Sequence, residues 1–199
     1  MKLEKKELLC ALSDVKGPPE PQFPHTRTAV SLLFFGEKET CILAVLKADR
    51  GDGYPWSNQV ALPGGHVDEN DSTPLEAAIR ELSEELNINR ENVEYFGSLG
   101  HFQTLRNKVI EAFAGYWNQK DDVRYDRSEI SRIIQIPLST IFQTHVEKGL
   151  HGRFPDMGEL LYPVDDVVVW GVTAKILHFT LEQLYPFIVA QNNPPKRSF

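Results

Sequence analysis

Three closely spaced glutamates, Glu81, Glu84 and Glu85, are the residues of this sequence whose type and spacing are best suited to chemistry. On a helix, spacings of three and four residues place Glu81 beside the other two, at a cost of roughly 0.2–0.5 kcal/mol per pair of like charges. Arg80 precedes Glu84 by four residues and can hold that carboxylate by a charge-assisted hydrogen bond. Carboxylate oxygens are suitable ligands for Mg²⁺ or Mn²⁺, which neutralise a pyrophosphate and lower the pKa of a bound water. The cluster therefore predicts a divalent-metal site suited to phosphate chemistry.

The helix that positions these carboxylates is predicted to begin near Ser72 or Thr73, either of which can cap it, and to end near Asn87. Pro74 suits its first turn. Its apolar residues recur at three- and four-residue spacing and form the stripe expected to be buried: Leu75, Ala78, Ile79, Leu82 and Leu86. The glutamates lie on a different face of this helix.

A glycine turn, Pro63-Gly64-Gly65, precedes the helix and bears on how the glutamates are interpreted. A glutamate-rich helix face is most often an ordinary solvated surface, and that alternative applies here too. The nearby turn and the absence of any lysine among the three glutamates favour a metal site instead.

Residues 64–88 resemble the Nudix box, whose Arg-Glu-aliphatic-any-Glu-Glu centre is complete in Arg80-Glu81-Leu82-Ser83-Glu84-Glu85. Fourteen residues separate Gly65 from Arg80, one more than in the general pattern, and no glutamate stands at the expected early position. The longer spacing, with Asp68 and Asp71 in the turn, is similar to the coenzyme A pyrophosphatase branch of the family.

The resemblance to that branch extends well beyond the box, over roughly residues 26–184. Residues 59–65, 129–138 and 168–177 are each similar to a segment of the branch. Two departures are Leu62 in place of the usual phenylalanine and Asn58 in place of the usual glycine. Upstream, residues 43–54 differ from the branch's Leu-Leu-Thr-any-Arg-Ser and later arginine.

The resemblance implies a role for each residue of the cluster. Glu81, Glu84 and Glu85 are the implied metal ligands, with the carbonyl of Gly65 as an additional one. Arg80 is implied to orient the carboxylates rather than to bind metal. The general base comes either from the box or from a later loop in this family, so Glu84 and Glu129 are the candidates.

Several of these residues also have a plainer interpretation. Glu129 is equally well an exposed loop acid, and the alternation around Glu111 leaves open which side of its strand faces a cavity. The cations Arg27, Lys47, Arg50 and Arg106 can bind phosphate, but each is more often a surface residue. Two roles are equally supported for Tyr54 and Trp56, namely contact with substrate and packing. Structural roles are expected for Trp170, Gly171 and Thr173. A lone histidine such as His66 is usually neither a ligand nor an acid in the box turn, and no metal spacing is found for His101, His145, His151 and His178.

Three functions follow from the resemblance. The first is cleavage of coenzyme A or an acyl-CoA to 3′,5′-ADP and 4′-phosphopantetheine. The second keeps the chemistry but acts on ADP-ribose, another nucleoside diphosphate sugar or a nucleoside triphosphate. The third is a catalytically silent Nudix fold that binds a ligand or protein, against which the intact glutamates argue.

Bulk properties suit one soluble globular domain of 199 residues, 41% hydrophobic and 25% charged. The expected divisions are an N-terminal helix and proline-rich lead-in (1–25), a Nudix domain (26–190) and a tail (191–199). A net charge of −7 argues against a nucleic-acid partner. The two cysteines, Cys10 and Cys41, and an N-terminus without a long apolar run predict a cytoplasmic protein without a membrane span. A homodimer is one open alternative for its assembly.

The remaining elements predict a mixed sheet between helices, and hence the α/β (α+β) class with a Nudix-type α/β/α sandwich. The expected strands are residues 29–35 and 41–46, which form a hairpin, then 58–62, 93–102, 107–117, 133–137 and a second hairpin over 160–170. The expected helices, besides 73–87, are 3–15, 138–146 and 173–189.

Overall fold

The computed structural model describes residues 1–23, 25–49, 51, 57–104 and 108–192. Its helices are α1 (Lys5–Leu12), α2 (Pro74–Leu86), α3 (Leu138–Glu147) and α4 (Gly171–Asn192). Its strands are β1 (Thr26–Phe35), β2 (Cys41–Lys47), β3 (Val60–Ala61), β4 (Gly64–His66), β5 (Val93–Gln103), β6 (Lys108–Trp117), β7 (Ile130–Pro137), β8 (Tyr162–Val164) and β9 (Val167–Val169).

Strand β1 is central to a mixed sheet of seven strands. Along one edge it pairs in parallel with β6, which in turn pairs antiparallel with β5. Along its other edge it pairs antiparallel with β4 near its beginning and with β2 near its end. Strand β2 also pairs antiparallel with both β3 and β7. The mixed sheet and the predicted hairpin of the first two strands are thus confirmed.

The two faces of β1 contribute to different parts of the core, because successive side chains of a strand point to opposite sides. Leu32 and Phe34 belong to a buried cluster that includes residues of α1, α3 and α4. Leu33 and Phe35 belong to a second cluster, which includes Leu82 of α2. Helices therefore cover both faces of the sheet, which is the predicted α/β/α sandwich.

Helix α2 has the caps that the sequence predicts. The hydroxyl of Thr73 accepts a hydrogen bond from the backbone N–H of Glu76 at 3.2 Å, and Asn87 ends the helix with a φ of 56°. Most of the predicted stripe is buried, with two differences. Leu75 is only half-buried, and Ala77, which is not part of the predicted stripe, is fully buried. Leu75 still packs against a small core cluster that includes Ala29 and Phe113.

The cap predicts a modest effect on stability. Thr73→Ala removes the acceptor for one N–H of the first turn, and we expect the free energy of unfolding to fall by about 1 kcal/mol. Urea denaturation followed by circular dichroism measures the change. Ser72→Ala is the matched control, and an equal loss in that variant would contradict the assignment of the cap to Thr73.

The N-terminal segment packs against the same core as the sheet. Leu3, Leu8 and Leu12 are fully buried, and the backbone N–H of Leu3 donates to the hydroxyl of Thr40 at 2.9 Å. Helix α1 is shorter than the predicted range of residues 3–15. The segment that follows is extended, as its prolines predict, and the carbonyl of Pro18 accepts from the N–H of His101 at 2.8 Å.

Some predicted boundaries differ from the structure. Strand β7 begins at Ile130 rather than at residue 133, because its pairing with β2 continues to Lys47. Helix α4 extends from Gly171 to Asn192 and includes Pro186. Within the described part of the chain, none of the helices has the length and apolarity needed to cross a bilayer.

The predicted turn at Pro63-Gly64-Gly65 is in part a strand. Gly64 and Gly65 belong to β4 and pair with Val30 and Ala29 of β1. A side chain at Gly64 would lie 2.2 Å from the carbonyl oxygen of Ala29, and Gly64 has a φ of 146°. Glycine is required because the two strands approach too closely for a β-carbon.

Candidate functional site

Arg80 is the hub of the polar network on α2. Its guanidinium donates to both carboxylate oxygens of Asp71, at 3.1 and 3.0 Å, and to the carbonyl of His66 at 3.1 Å. One of its nitrogens, Nη1, also lies 3.0 Å from both Glu81 and Glu84. The contact with Glu84 is the one that the i, i+4 spacing predicts, whereas the two bonds to Asp71 were not foreseen. Arg80 therefore fixes the turn before α2 and two of the three glutamates together.

Glu85 is held by a different set of contacts. The ammonium of Lys47, at the end of β2, donates to Oε1 of Glu85 at 2.6 Å. The backbone N–H of Gly64 donates to its other oxygen at 3.0 Å. The side chain of Glu85 is 11% exposed, against 60% for Glu84. Lys47, a candidate for phosphate binding, thus contacts an acid of the cluster in this structure.

Gly65 lies directly against the carboxylate of Glu81. A β-carbon at Gly65 would lie 2.3 Å from the carboxyl carbon of Glu81, well inside any normal contact. Burial raises the pKa of Glu81, and the charges of Glu85 and Glu84 act in the same direction, while Arg80 opposes them. The ionised form of Glu81 is therefore costly in this site, and a cation beside it would reduce that cost.

This contact gives a direct test of the site. In Gly65→Ala the new methyl group must displace the carboxylate of Glu81, so we expect metal-dependent hydrolysis to fall by about 10–100-fold. The change is measured as initial rates at saturating Mg²⁺, together with the melting temperature. Gly158→Ala is the matched control, because nothing lies within 4 Å of a β-carbon at Gly158. Unchanged rates in Gly65→Ala would contradict a role for this contact.

The donor set fits a divalent cation. Glu81, Glu84 and Glu85 supply carboxylate oxygens from one helix, and Gly65 allows a close approach from the neighbouring strand. Hard oxygen donors of this kind are those that Mg²⁺ and Mn²⁺ prefer. In this structure Arg80 and Lys47 form ion pairs with the three carboxylates. A bound ion would replace part of those contacts.

A cavity of about 410 Å³ adjoins the acids. Lys47, Gly64 and Gly65 line it and also contact the glutamates, so the acidic cluster lies at its edge. Its volume is in the range of small-molecule binding sites. The lining also includes Trp170 and residues of the first turn of α4.

Three residues for which a structural role was expected therefore line this cavity. Trp170 is 42% exposed, which does not match a packing residue, and it lines the cavity with Gly171 and Thr173. Thr173 is buried, in keeping with the structural prediction. The hairpin of β8 and β9 directs the chain back to the sheet at this point, a long-range effect that local sequence does not encode.

The candidate bases differ in position. Glu129 is exposed, and its backbone carbonyl accepts from the N–H of Ala48, the residue after Lys47. It therefore lies near the strand end that contacts Glu85. Glu111 lines a second, smaller pocket and accepts a hydrogen bond from Ser98 at 2.8 Å. Glu111 thus lines the smaller pocket and is not among the residues that line the larger cavity.

The other candidates are dispersed. Arg27 is half-exposed, lies 3.4 Å from Glu20 and lines the smaller pocket. Arg50, Arg106, Tyr54 and Trp56 lie outside the described residues.

The fold brings together two of the histidines that show no metal spacing in the sequence. His145, His178 and Glu182 place ligand atoms within 4.8 Å of one another. His178 and Glu182 are four residues apart on α4, and that spacing was the one signal in the sequence. His145 comes from α3, 33 residues earlier in the chain, so only the packing of the two helices brings the group together.

Comparison with known proteins gives consistent results. The family described as NUDIX domain matches residues 25–153. A Photorhabdus laumondii protein named Nudix hydrolase NudL is 26% identical over 84% of this chain and 90% of its own length. A Klebsiella pneumoniae protein of the same name is 30% identical over 61% of this chain, a match that spans 64% of that relative.

One solved structure supports the fold. The MutT/nudix family protein from Enterococcus faecalis superposes with a TM-score of 0.52 at 14% identity, over 84% of this chain and 65% of that one. At this identity the likeness concerns the fold alone.

Proposed function

This chain belongs to the NUDIX domain family, and we propose that it is a divalent-metal-dependent pyrophosphatase that cleaves coenzyme A or an acyl-CoA to 3′,5′-ADP and 4′-phosphopantetheine. The observation that carries the proposal is the position of Glu81, Glu84 and Glu85 at the edge of the large cavity, joined to it through Gly64 and Gly65. A metal site and a substrate cavity then share one wall.

The metal chemistry follows from these ligands. A Mg²⁺ or Mn²⁺ ion held by Glu81, Glu84 and Glu85, with the Gly65 carbonyl, would neutralise the diphosphate and make a bound water acidic enough to react. Hydrolysis requires that a water oxygen attack one phosphorus and form a new P–O bond. The bond to the bridging oxygen breaks, and the departing phosphate takes the electron pair.

The protein's own groups position the acids and accept the proton. Arg80 orients Glu81 and Glu84 through the bonds at 3.0 Å. Glu84 is the base that we favour, because it is 60% exposed and is close to its metal-binding neighbours. Glu129, exposed near the end of β2, is the alternative base. In either case the carboxylate accepts the proton that the attacking water loses.

The lining of the cavity supports coenzyme A as the substrate class. Apolar side chains, including Val30, Ile110 and Ile176, suit the pantetheine arm, and Trp170 offers an aromatic surface for the adenine ring. Lys47 and Lys108 line the same cavity and provide positive charge for phosphates. A silent binding fold would not require the like charges of three glutamates to be kept side by side.

We expect a substrate panel with Mg²⁺ or Mn²⁺ to identify coenzyme A as the preferred substrate. The panel contains coenzyme A, an acyl-CoA, ADP-ribose, a dinucleoside polyphosphate and nucleoside triphosphates, and products are separated by chromatography. Preferred hydrolysis of ADP-ribose or a triphosphate would keep the chemistry but refute the substrate. No turnover of any compound with either metal would refute the enzyme and favour a binding fold.

We also propose a cytoplasmic location. The described structure has two free cysteines, Cys10, which is exposed, and Cys41, which is half-buried. Free thiols are typical of a reducing compartment.

A further inference from the structure

A second group of metal-binding side chains lies between α3 and α4. It consists of His145, His178 and Glu182, whose ligand atoms are within 4.8 Å of one another. The imidazole rings of His145 and His178 have centroids 5.1 Å apart. Because these residues lie on α3 and α4, whereas Glu81, Glu84 and Glu85 lie on α2, the group is distinct from the acidic cluster.

His178 presents a nitrogen that is ready to bind a metal. Its Nε2 lies 3.2 Å from the carbonyl oxygen of Arg153. Because a carbonyl can only accept, Nε2 carries the hydrogen, and the neutral ring keeps a lone pair on Nδ1. That Nδ1 is buried and is one of two buried side-chain nitrogen or oxygen atoms in the described residues without a hydrogen-bond partner. A buried lone pair of this kind is costly unless a ligand satisfies it.

His145 and Glu182 have the supporting contacts that metal ligands usually have. Nδ1 of His145 lies 3.2 Å from the hydroxyl of Tyr162, on the side of the ring away from Glu182. Nε2 of His145 lies 2.7 Å from Oε1 of Glu182, a hydrogen bond between the two ligands that a bound ion would replace. The second oxygen of Glu182 accepts from the backbone N–H of Gly152 at 3.0 Å. Hydrogen bonds to the far side of a ligand orient it and raise its affinity for the ion.

We propose that His145, His178 and Glu182 bind a Zn²⁺ ion. Two imidazoles and one carboxylate are a ligand set that Zn²⁺ accepts, and they are less suited to Mg²⁺, which prefers oxygen ligands alone. Tetrahedral zinc with bonds of about 2.0–2.1 Å holds its ligand atoms about 3.4 Å apart, so the side chains need only small movements.

His151, the half-exposed neighbour of Glu182, marks the side from which we expect the fourth ligand. That imidazole is 47% exposed, and its Nδ1 lies 3.1 Å from Glu182. Its ring stacks on Tyr185, with centroids 3.5 Å apart, which holds it beside the group. Either His151 or a water molecule completes the coordination, and the exposed side provides the route of entry.

The ion would join α3 to α4. His178 and Glu182 lie beyond residues 25–153, the part of the chain that matches the family, whereas His145 lies within it. Zinc would therefore link α4, the C-terminal helix, to the segment that matches the family. The expected result is a rise in melting temperature when zinc binds, because the ion binds the folded chain in preference to the unfolded one.

The test is zinc binding by the full chain in excess Mg²⁺, which occupies the acidic site. Isothermal titration of the chelator-treated protein with Zn²⁺ is expected to give one ion per chain and a higher melting temperature. His178→Gln and Glu182→Gln are expected to weaken binding by at least about 10–100-fold. His25→Gln is the matched control, because His25 lies in the extended segment before β1, outside the group.

Several outcomes would overturn the proposal. These are no zinc binding by the wild-type chain in excess Mg²⁺, unchanged binding in His178→Gln, or equal weakening in His25→Gln. If either site variant fails to fold by circular dichroism, anomalous scattering from zinc-soaked wild-type crystals decides instead. A peak between His178 and Glu182 supports the site, and a peak only at the glutamates of α2 refutes it. None of these readouts depends on the proposed hydrolysis.

Discussion

Glu85→Gln is expected to lower the rate of metal-dependent hydrolysis by about 10²–10³-fold while the protein remains folded. Glutamine has the same shape, but it loses the negative charge that a divalent ion requires. It also gives up the ion pair with Lys47 at 2.6 Å, while its oxygen can still accept from Gly64. The variant therefore tests the charge of Glu85 without changing the size of the side chain.

The measurement is kcat over a range of Mg²⁺ concentrations, with circular dichroism as the check on folding. Glu76→Gln is the matched control, because Glu76 belongs to the same helix but pairs with Arg90, away from the cavity. Glu84→Gln is expected to show a loss of similar size, as a ligand and the favoured base. Near-normal rates in both Glu84→Gln and Glu85→Gln would contradict the assignment of the site.

Arg80→Lys is the second large effect that we expect. Lysine keeps the positive charge but replaces a planar fork of five donors by one ammonium group. It cannot bind Asp71, the carbonyl of His66 and two glutamates together, as Arg80 does. The turn before α2 then loses its connection to the acids, and we expect activity to fall by about 10–100-fold.

This loss should appear partly as a higher Mg²⁺ concentration for half-maximal activity, because misplaced carboxylates bind the ion less well. Titration of activity with Mg²⁺ measures it. Arg90→Lys changes an exposed arginine near the end of the same helix and is the control. An Arg80→Lys enzyme with the same rate and the same Mg²⁺ dependence would show that charge alone suffices.

The part of the site that lies on one helix could be predicted from the sequence. Helical geometry fixes the relation of Glu81, Glu84 and Glu85, and Arg80 meets Glu84 as its spacing requires. The apolar stripe and the caps of α2 follow from the same periodicity. Local rules suffice here because every residue involved lies within a few turns.

Contacts between distant segments could not be predicted in this way. Lys47 and Glu85 are 38 residues apart, and their ion pair depends on how β2 and α2 pack on the sheet. Glycine has a low strand propensity, so the pairing of β4 with β1 was not expected. It forms because the two chains approach so closely that no residue with a β-carbon fits at Gly64. Trp170 follows the β8–β9 hairpin and lines the cavity although it lies 85 residues after Glu85 in the chain.

The cations already present among the glutamates have a consequence for handling the protein. Since Lys47 and Arg80 act as internal counter-ions, the acidic cluster does not depend on metal to offset its mutual repulsion. Chelation should therefore abolish turnover without unfolding the chain, and adding the metal back should restore turnover quickly. The same contacts create a competition: an ion that binds Glu85 must displace the ammonium group of Lys47, which favours reversible loading over permanent retention.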